Sequence, residues 1–289
     1  MKTLKEQVTE IMSGKDSKQT KAISLVKLGI TPYEIRLMLG SVSTAKGFNV
    51  NTLTFGVEIE CYNVQRNDLL QEAARRNIAI YSQNYNHRDN KEYYKIVSDG
   101  SISGEYGQEV VSPILKGKKG ESSLKKVCES LNSVGAKVNR STGLHVHFGA
   151  EKMSDEHFVN IFKNYQALEA TIDSFMPSSR RGRANKYCQT LANLDYSGCC
   201  TKDDVARINI SRYRKVNAHA YMSHKTIEFR QHSGTTDYNK ILNWINFLRK
   251  LIVYSFDKNI DRCDAIEEIP FLTQEEKSYF MSRREALIQ

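Results

Sequence analysis

Residues 142–149 read Thr-Gly-Leu-His-Val-His-Phe-Gly, so that two histidines flank a single valine. Successive side chains of a β-strand point to opposite faces of the sheet. His145 and His147 would therefore share one face, and the apolar side chains around them would lie on the other. The segment predicts a buried strand with one polar face that can bind a ligand.

Two other stretches repeat this alternation. Glu58 and Glu60 are separated by one apolar residue, and so are Glu228 and Arg230. Carboxylates suit hard divalent cations, imidazole also accepts manganese or zinc, and arginine binds phosphate through two hydrogen bonds. Any half-buried antiparallel strand alternates in this way when its polar residues merely face water. Three strands with only Glu, His and Arg on the polar face favour a shared site for cations and a polyphosphate.

Five stretches of the chain, in this order, resemble the amidoligase family of the carboxylate–amine ligases: residues 55–60, 99–101, 109–113, 143–147 and 226–230. That family is related in fold to glutamine synthetase and glutamate–cysteine ligase. The resemblance therefore implies an α+β fold, with a mainly antiparallel sheet of the glutamine synthetase type and packed helices. It covers about residues 54 to 251, which predicts a catalytic domain over 51–289 and a separate helical segment over 1–50.

The resemblance also implies a reaction, which is ATP-dependent amide formation. A carboxylate is phosphorylated by the γ-phosphate of ATP to an acyl phosphate, an amine attacks, and phosphate leaves. The expected cofactors are ATP and Mg²⁺ or Mn²⁺, and the expected substrates are a small-molecule or peptide carboxylate and an amine. Metal ions and arginines would offset the repulsion between the anionic carboxylate and the triphosphate.

The same resemblance assigns roles to individual residues. The metal ligands that it implies are Glu58, Glu60, Glu109, His145 and Glu228. Of these, Glu58, His145 and Glu228 would hold the ion at the γ-phosphate, and Glu60 with Glu109 the ion near the substrate carboxylate. Glu60, His147 and Arg230 would be the catalytic side chains. Glu105 lies close to Glu109 in the chain and could take its place.

Arginines after the predicted long helix provide further candidates. The expected contacts to ATP phosphates or an acidic substrate are Arg180, Arg181, Arg183, Arg207, Arg214 and Arg230, with Asn217 as an orienting group. The first three lie in the basic stretch 177–188, which could form a mobile lid over an acyl phosphate. A solvated loop and a nucleic-acid contact are the alternative explanations of such a charge run.

Composition limits the class of protein. The chain has 289 residues, 40% hydrophobic and 26% charged, and a net charge of +9, which favours an anionic partner such as a nucleotide, an acidic substrate or a nucleic acid. The absence of a long apolar run and of a signal-peptide pattern predicts a cytoplasmic protein that does not cross a membrane. Six cysteines without C-x-x-C spacing predict free thiols.

Residues 1–50 predict short helices. An apolar stripe ends at Gly29, and Thr31-Pro32-Tyr33-Glu34 has the signals of a second helix start. This layout is typical of a helix-turn-helix, which could read DNA. A helical hairpin that packs on the main domain or mediates assembly is favoured, since a third helix is not evident. Residues 41–52 predict a linker.

Periodicity predicts the remaining elements. Helices are expected at 67–77, 122–135 and 154–176 and from about Tyr238, and strands at 93–97, 109–115 and 206–211. Residues 81–91, which include His87, predict a loop.

Two other functions are compatible with the sequence. The net charge and the N-terminal helices would suit a nucleic-acid-binding protein. The His-x-His strand would suit a metal-dependent hydrolase with zinc. The hydrolase would need further spaced ligands, and the later histidines, His219, His224 and His232, do not lie in matching strand patterns.

Overall fold

The computed structural model describes residues 2–16, 18–30, 38, 53–84, 92–182 and 185–288. Within these residues the chain is an α+β protein with a seven-stranded mixed sheet and packed helices. Contacts divide it into two compact units, of which the smaller contains the first two helices.

The smaller unit has two described helices, α1 (Leu4–Ser13) and α2 (Lys18–Lys27). α1 begins with a capping box in which Thr3 and Glu6 each accept a hydrogen bond from the other's backbone N–H. Ala22 and Leu25 of α2 form the buried centre of this unit. Apart from Met38, the expected helix from Thr31 and the linker at 41–52 lie outside the described residues, so the helix-turn-helix and the boundary at residue 50 stay predictions.

The larger unit is built on seven strands: β1 (Phe55–Cys61), β2 (Ile80–Ser82), β3 (Tyr94–Ser98), β4 (Gln108–Val111), β5 (Gly143–Gly149), β6 (Val216–Asn217) and β7 (Thr226–Ser233). Their order in the sheet is β2-β3-β4-β1-β5-β7-β6. β2 and β3 run parallel, and every other neighbouring pair is antiparallel. The sheet is therefore mainly antiparallel, as expected.

The helices of the larger unit are α3 (Arg66–Arg75), α4 (Gly117–Ser133), α5 (Asp155–Ser174), α6 (Lys202–Ile208), α7 (Ala220–His224), α8 (Tyr238–Tyr254) and α9 (Gln274–Ala286). Asp237 caps α8 by accepting hydrogen bonds from the N–H groups of Asn239 and Lys240. Tyr165 of α5 packs on Phe229 of β7, with 5.6 Å between the ring centroids. No described helix has both the length and the hydropathy to cross a bilayer.

The apolar side of β1, β5 and β7 belongs to the core. Val57, Val146 and Phe229 are buried, and cross-strand pairing places Val57 opposite Val146 and Val146 opposite Phe229. Because strand side chains alternate, the glutamates and histidines of β1 and β5 lie on the other side of the sheet. Burial of the apolar side thus determines which residues face the candidate site.

Several predicted elements differ from the structure. Residues 206–211 do not form a strand, because α6 occupies Lys202–Ile208 after a capping box between Thr201 and Asp204. The helix expected at 122 begins at Gly117, and the strand expected to reach residue 115 ends at Val111. Tyr81 and Ser82, expected in a loop, belong to β2, and residues 85–91 with His87 lie outside the described residues.

Candidate metal and phosphate site

Strand register brings the polar residues of β1, β5 and β7 together. Glu58 of β1 pairs with His145 of β5, and His147 of β5 pairs with Glu228 of β7. His145 Nδ1 lies 2.8 Å from Glu58 Oε2, and His147 Nε2 lies 3.3 Å from Glu58 Oε1. The two histidines and the two glutamates therefore form one cluster on one face of the sheet.

The cluster contains two groups of possible metal donors. Donor atoms of Glu58, His147 and Glu228 all lie within 4.8 Å of one another, and so do those of Glu58, Glu109 and His145. Glu58 belongs to both groups. The expected division, with His145 and Glu228 on one ion and Glu60 with Glu109 on the other, differs from this geometry.

Glu60 is held by the backbone of the neighbouring strand. Its Oε2 accepts a hydrogen bond from the Gly143 N–H at 2.6 Å, and its Oε1 lies 3.4 Å from His145 Nε2. One of its oxygens is thus engaged by the start of β5. Glu60 thus lies beside His145 and belongs to neither of the two donor groups.

The electrostatics favour ionised side chains at the centre of the cluster. Burial disfavours the charge of Glu58, but contacts with His145 and His147 outweigh it and hold the pKa of Glu58 well below its usual range. Burial likewise opposes the charge of Glu228, but Arg230 and His147 lower its pKa. Burial lowers the pKa of His147, but the carboxylates of Glu58 and Glu228 outweigh it and raise that pKa.

The pKa of Glu109 shifts in the opposite direction to those of Glu58 and Glu228. Burial, together with the negative charges of Glu58 and Glu60, raises the pKa of Glu109 well above its usual range. The Glu109 carboxyl group interacts directly with that of Glu58. Two carboxyl groups in contact are stable only with a shared proton or a bound cation. Glu105, the alternative to Glu109, is exposed.

Arg230 lies at an irregularity of the sheet. The β5–β7 register shifts between Leu144 and Val146, and the shift places Arg230 beside His145. Its Nη1 donates a hydrogen bond to Glu228 Oε1 and lies 3.4 Å from His145 Nδ1. Burial opposes its charge, but Glu228 and Glu58 raise its pKa, so that Arg230 stays cationic.

Polar neighbours orient two members of the cluster. Asn217, a predicted orienting group, donates a hydrogen bond of 2.6 Å from Nδ2 to Glu228 Oε2. A 3.0 Å hydrogen bond joins Thr226 Oγ1 to His147 Nδ1. Thr226 was not among the predicted site residues, although its position two residues before Glu228 predicts that both share one strand face.

Arg180 reaches the same cluster from another part of the chain. Its side chain is buried, and its Nη2 donates a hydrogen bond to the Thr142 carbonyl. A methyl group added to Gly143 would lie 3.0 Å from Arg180 Nη2 and 3.1 Å from His145 Nε2. The guanidinium and the imidazole thus converge on the glycine that begins β5.

The other predicted arginines contact local partners. Arg181 Nε donates to the Met176 carbonyl at 2.5 Å, and Arg207 is exposed, 3.7 Å from Asp204. Arg214 donates to the Thr190 carbonyl and to Asn193. The structure does not bring Arg181, Arg207 or Arg214 to the cluster. The side chains of Arg181 and Arg207 contact residues of their own segments, and that of Arg214 contacts the segment 190–193. Arg183 lies outside the described residues.

The donor set fits a hard divalent cation. His147 Nε2 is buried and, among the described residues, makes no well-aligned hydrogen bond, although it lies beside Glu58. Carboxylate oxygens and imidazole nitrogens are ligands for Mg²⁺ or Mn²⁺. A cation between these groups would engage that nitrogen and relieve the contact between Glu58 and Glu109.

Comparison with known proteins gives one family match. The sequence family described as "putative amidoligase enzyme" matches residues 51–252. The match includes the whole cluster, from Glu58 on β1 to Arg230 on β7. No curated protein matches the chain.

Proposed function

Because the chain belongs to the amidoligase family, we propose that it is an ATP-dependent carboxylate–amine ligase that acts through an acyl phosphate. The observation that supports this most is the cluster on the polar face of the sheet, where carboxylates, imidazoles and Arg230 lie within contact distance. The mainly antiparallel sheet is consistent with a fold of the glutamine synthetase type, which is part of the proposal. The expected place of action is the cytoplasm.

Two cation positions are proposed within the cluster. Glu58, His147 and Glu228 would hold one ion, and Glu58, Glu109 and His145 the other, since these donors converge. Bound Mg²⁺ or Mn²⁺ would neutralise and polarise the γ-phosphate. Glu60 would act beside them by holding the start of β5 and His145 in place.

The chain's cationic side chains would bind the triphosphate. Arg230 lies next to His145 Nδ1, and Arg180 lies near His145 Nε2. Guanidinium groups bind phosphate oxygens through two parallel hydrogen bonds. We assign Arg230 and His147 to stabilisation of the transferring phosphoryl group, and Arg180 to binding of the triphosphate.

The proposed reaction has two steps. An oxygen of the substrate carboxylate attacks the γ-phosphorus, the bond to the β-phosphate oxygen breaks, and ADP leaves. The nitrogen of the amine then attacks the acyl carbon, phosphate leaves with the former carboxylate oxygen, and the amine loses a proton. No nucleophilic side chain is required, so the protein positions the reactants and stabilises charge.

The first experiment is thermal unfolding of wild type and Glu228→Gln with ATP and either Mg²⁺ or Mn²⁺. A ligand at a hundred times its Kd stabilises the native state by about 2.7 kcal/mol, which raises Tm by several degrees in a chain of this size. Wild type should show this metal-dependent increase, and Glu228→Gln should not. Glu121→Gln is the control, since Glu121 is also buried and ion-paired but lies on α4. No increase in wild type with either metal would contradict the proposal.

The reaction itself is tested with candidate acids in the presence of hydroxylamine. An acyl phosphate would form a hydroxamate and release ADP in equal amounts, whereas hydrolysis of ATP would release ADP without hydroxamate. Omission of the acid should abolish hydroxamate formation.

A metal-dependent hydrolase is the second candidate, because the group of Glu58, His147 and Glu228 would also suit a hydrolytic metal. Tightly bound zinc in the purified protein, together with turnover that does not require ATP, would favour this candidate over the ligase.

A further inference from the structure

A second cluster of buried charges lies outside the proposed site. Lys215, which precedes β6, has no exposed surface. Its Nζ lies 2.6 Å from Glu169 Oε1 and 2.6 Å from Asp173 Oδ1. Glu169 and Asp173 are one turn apart on α5. A buried ammonium group persists only when it is paired in this way.

The remaining oxygens of the two carboxylates fix a segment of backbone. Asp173 Oδ2 accepts a 2.8 Å hydrogen bond from the Gly182 N–H, and Glu169 Oε2 accepts one of 2.8 Å from the Leu191 N–H. The two contacts anchor both ends of segment 182–191. This segment overlaps the stretch 177–188 for which the sequence suggested a mobile lid, and Arg180 lies two residues before it.

Gln231 connects this cluster to Arg180. Its Nε2 donates to Asp173 Oδ1 at 2.5 Å and to the Arg180 carbonyl at 3.4 Å. Its Oε1 accepts a 2.6 Å hydrogen bond from the Tyr165 hydroxyl. The amide nitrogen and the amide oxygen of Gln231 are therefore both hydrogen-bonded. The side chain fixes the distance between α5 and the backbone of Arg180.

Lys215 also connects the cluster to Arg230. The Arg230 N–H donates to the Lys215 carbonyl at 2.8 Å, and the Lys215 N–H donates to the Gln189 carbonyl at 2.9 Å. Arg230 Nε donates in turn to the Tyr187 carbonyl at 3.4 Å, within segment 182–191. The backbones of both arginines are thus fixed against the same buried cluster.

We propose that the cluster of Lys215, Glu169 and Asp173 is a positioning device that sets the spacing of Arg180 and Arg230 for binding a polyphosphate. Arg230 Nη1 lies 3.4 Å from His145 Nδ1, and Arg180 Nη2 and His145 Nε2 both lie against Gly143. A small shift in either backbone would separate them by more than a bidentate phosphate contact tolerates. The identification of the anion as the triphosphate of ATP rests on the proposed function.

The test compares Asp173→Asn with a matched control, Glu276→Gln. Each variant neutralises a carboxylate whose oxygen lies 2.6 Å from a lysine Nζ, and the two side chains are 20% and 25% exposed. Two affinities are measured for each protein by calorimetry: Mn²⁺ alone, and inorganic tripolyphosphate with saturating Mn²⁺. Hydrogen exchange reports on the amides of segment 182–191.

Asp173→Asn is expected to weaken tripolyphosphate binding at least tenfold, to leave the Mn²⁺ affinity unchanged and to accelerate exchange in segment 182–191 about tenfold. Glu276→Gln should match wild type in all three measurements. A merely structural role would lower Tm without separating the two affinities. If Asp173→Asn does not fold, Gln231→Met, which removes the link to Arg180 without changing a charge, should give the same pattern.

The outcomes separate this proposal from the proposed function. Binding of tripolyphosphate that is equal in wild type and Asp173→Asn would overturn the positioning role and leave the ligase proposal standing. Failure of wild type to bind either tripolyphosphate or ATP would overturn both.

Discussion

The Lys215 cluster and the cluster around Glu58 both contain buried charged groups. Only the first is complete, in the sense that each of its carboxylate oxygens has a hydrogen-bond donor from the protein. Both oxygens of Glu169 and both of Asp173 accept hydrogen bonds from protein groups. In the second cluster, His147 Nε2 makes no well-aligned hydrogen bond, and the carboxyl groups of Glu58 and Glu109 interact with each other. A complete cluster stabilises a geometry, whereas an incomplete one is suited to bind a ligand.

The largest expected effect on stability comes from a substitution in the Lys215 cluster. Lys215→Met leaves the buried Glu169 and the partly exposed Asp173 carboxylate without a cation and should lower the free energy of unfolding by about 3–5 kcal/mol. Lys250→Met is the control, because the Lys250–Glu276 pair is partly exposed, and its loss should cost less than about 1 kcal/mol. Urea unfolding gives both values. Equal losses would mean that the burial of Lys215 has no energetic consequence.

Glu109→Gln should raise the free energy of unfolding when divalent cations are removed with EDTA. Burial and the charges of Glu58 and Glu60 raise the pKa of Glu109, so between its ordinary value of 4.5 and the raised value the folded protein binds more protons than the unfolded chain. Wild type therefore loses stability as pH rises through this range, by up to about 1.4 kcal/mol per pH unit. The variant lacks this loss.

Urea unfolding of both proteins at several pH values measures the difference for Glu109. The advantage of Glu109→Gln should grow with rising pH from 4.5, and Mn²⁺ should reverse it by stabilising wild type more. An advantage that shrinks with rising pH would show that Glu109 is ionised without a cation, and the two clusters would then be alike.

The smallest effect on stability is expected for Thr226→Val. The variant removes the hydrogen bond to His147 Nδ1, which should cost about 1 kcal/mol without metal. Mn²⁺ affinity should fall by about tenfold or more, since groups that orient a ligand histidine control metal affinity. Thr236→Val is the control, because the Thr236 hydroxyl bonds to Asn132 away from the cluster. Equal Mn²⁺ affinities in the two variants would remove His147 from the proposed donors.

The strands of the site were predictable because their pattern is local. Alternation in residues 55–60, 143–149 and 226–230 identified β1, β5 and β7, and α8 begins at Tyr238 as expected. The same alternation wrongly predicted a strand at residues 206–211, where Ala206, Ile208 and Ile210 have the spacing of one strand face. The short helix α6 has too few turns for a clear helical period, and its capping box was the better signal.

The arginines show the limit of charge as a guide. The sequence identified Arg180, Arg181, Arg207 and Arg214 as candidate phosphate contacts, and the structure brings only Arg180 of these four to the cluster. Charge in a sequence does not specify the direction of a long side chain. That direction depends on which carbonyls and carboxylates the fold places nearby.

By itself the sequence determined which side chains share a strand face, because the alternation of a strand depends only on local backbone geometry. Tertiary structure decided how those faces combine. The pairing of Glu58 with His145 and of His147 with Glu228 depends on register between strands more than 80 residues apart in the chain. The Lys215 cluster likewise joins α5 to residues some 40 positions later, so its charges become partners only when the chain folds.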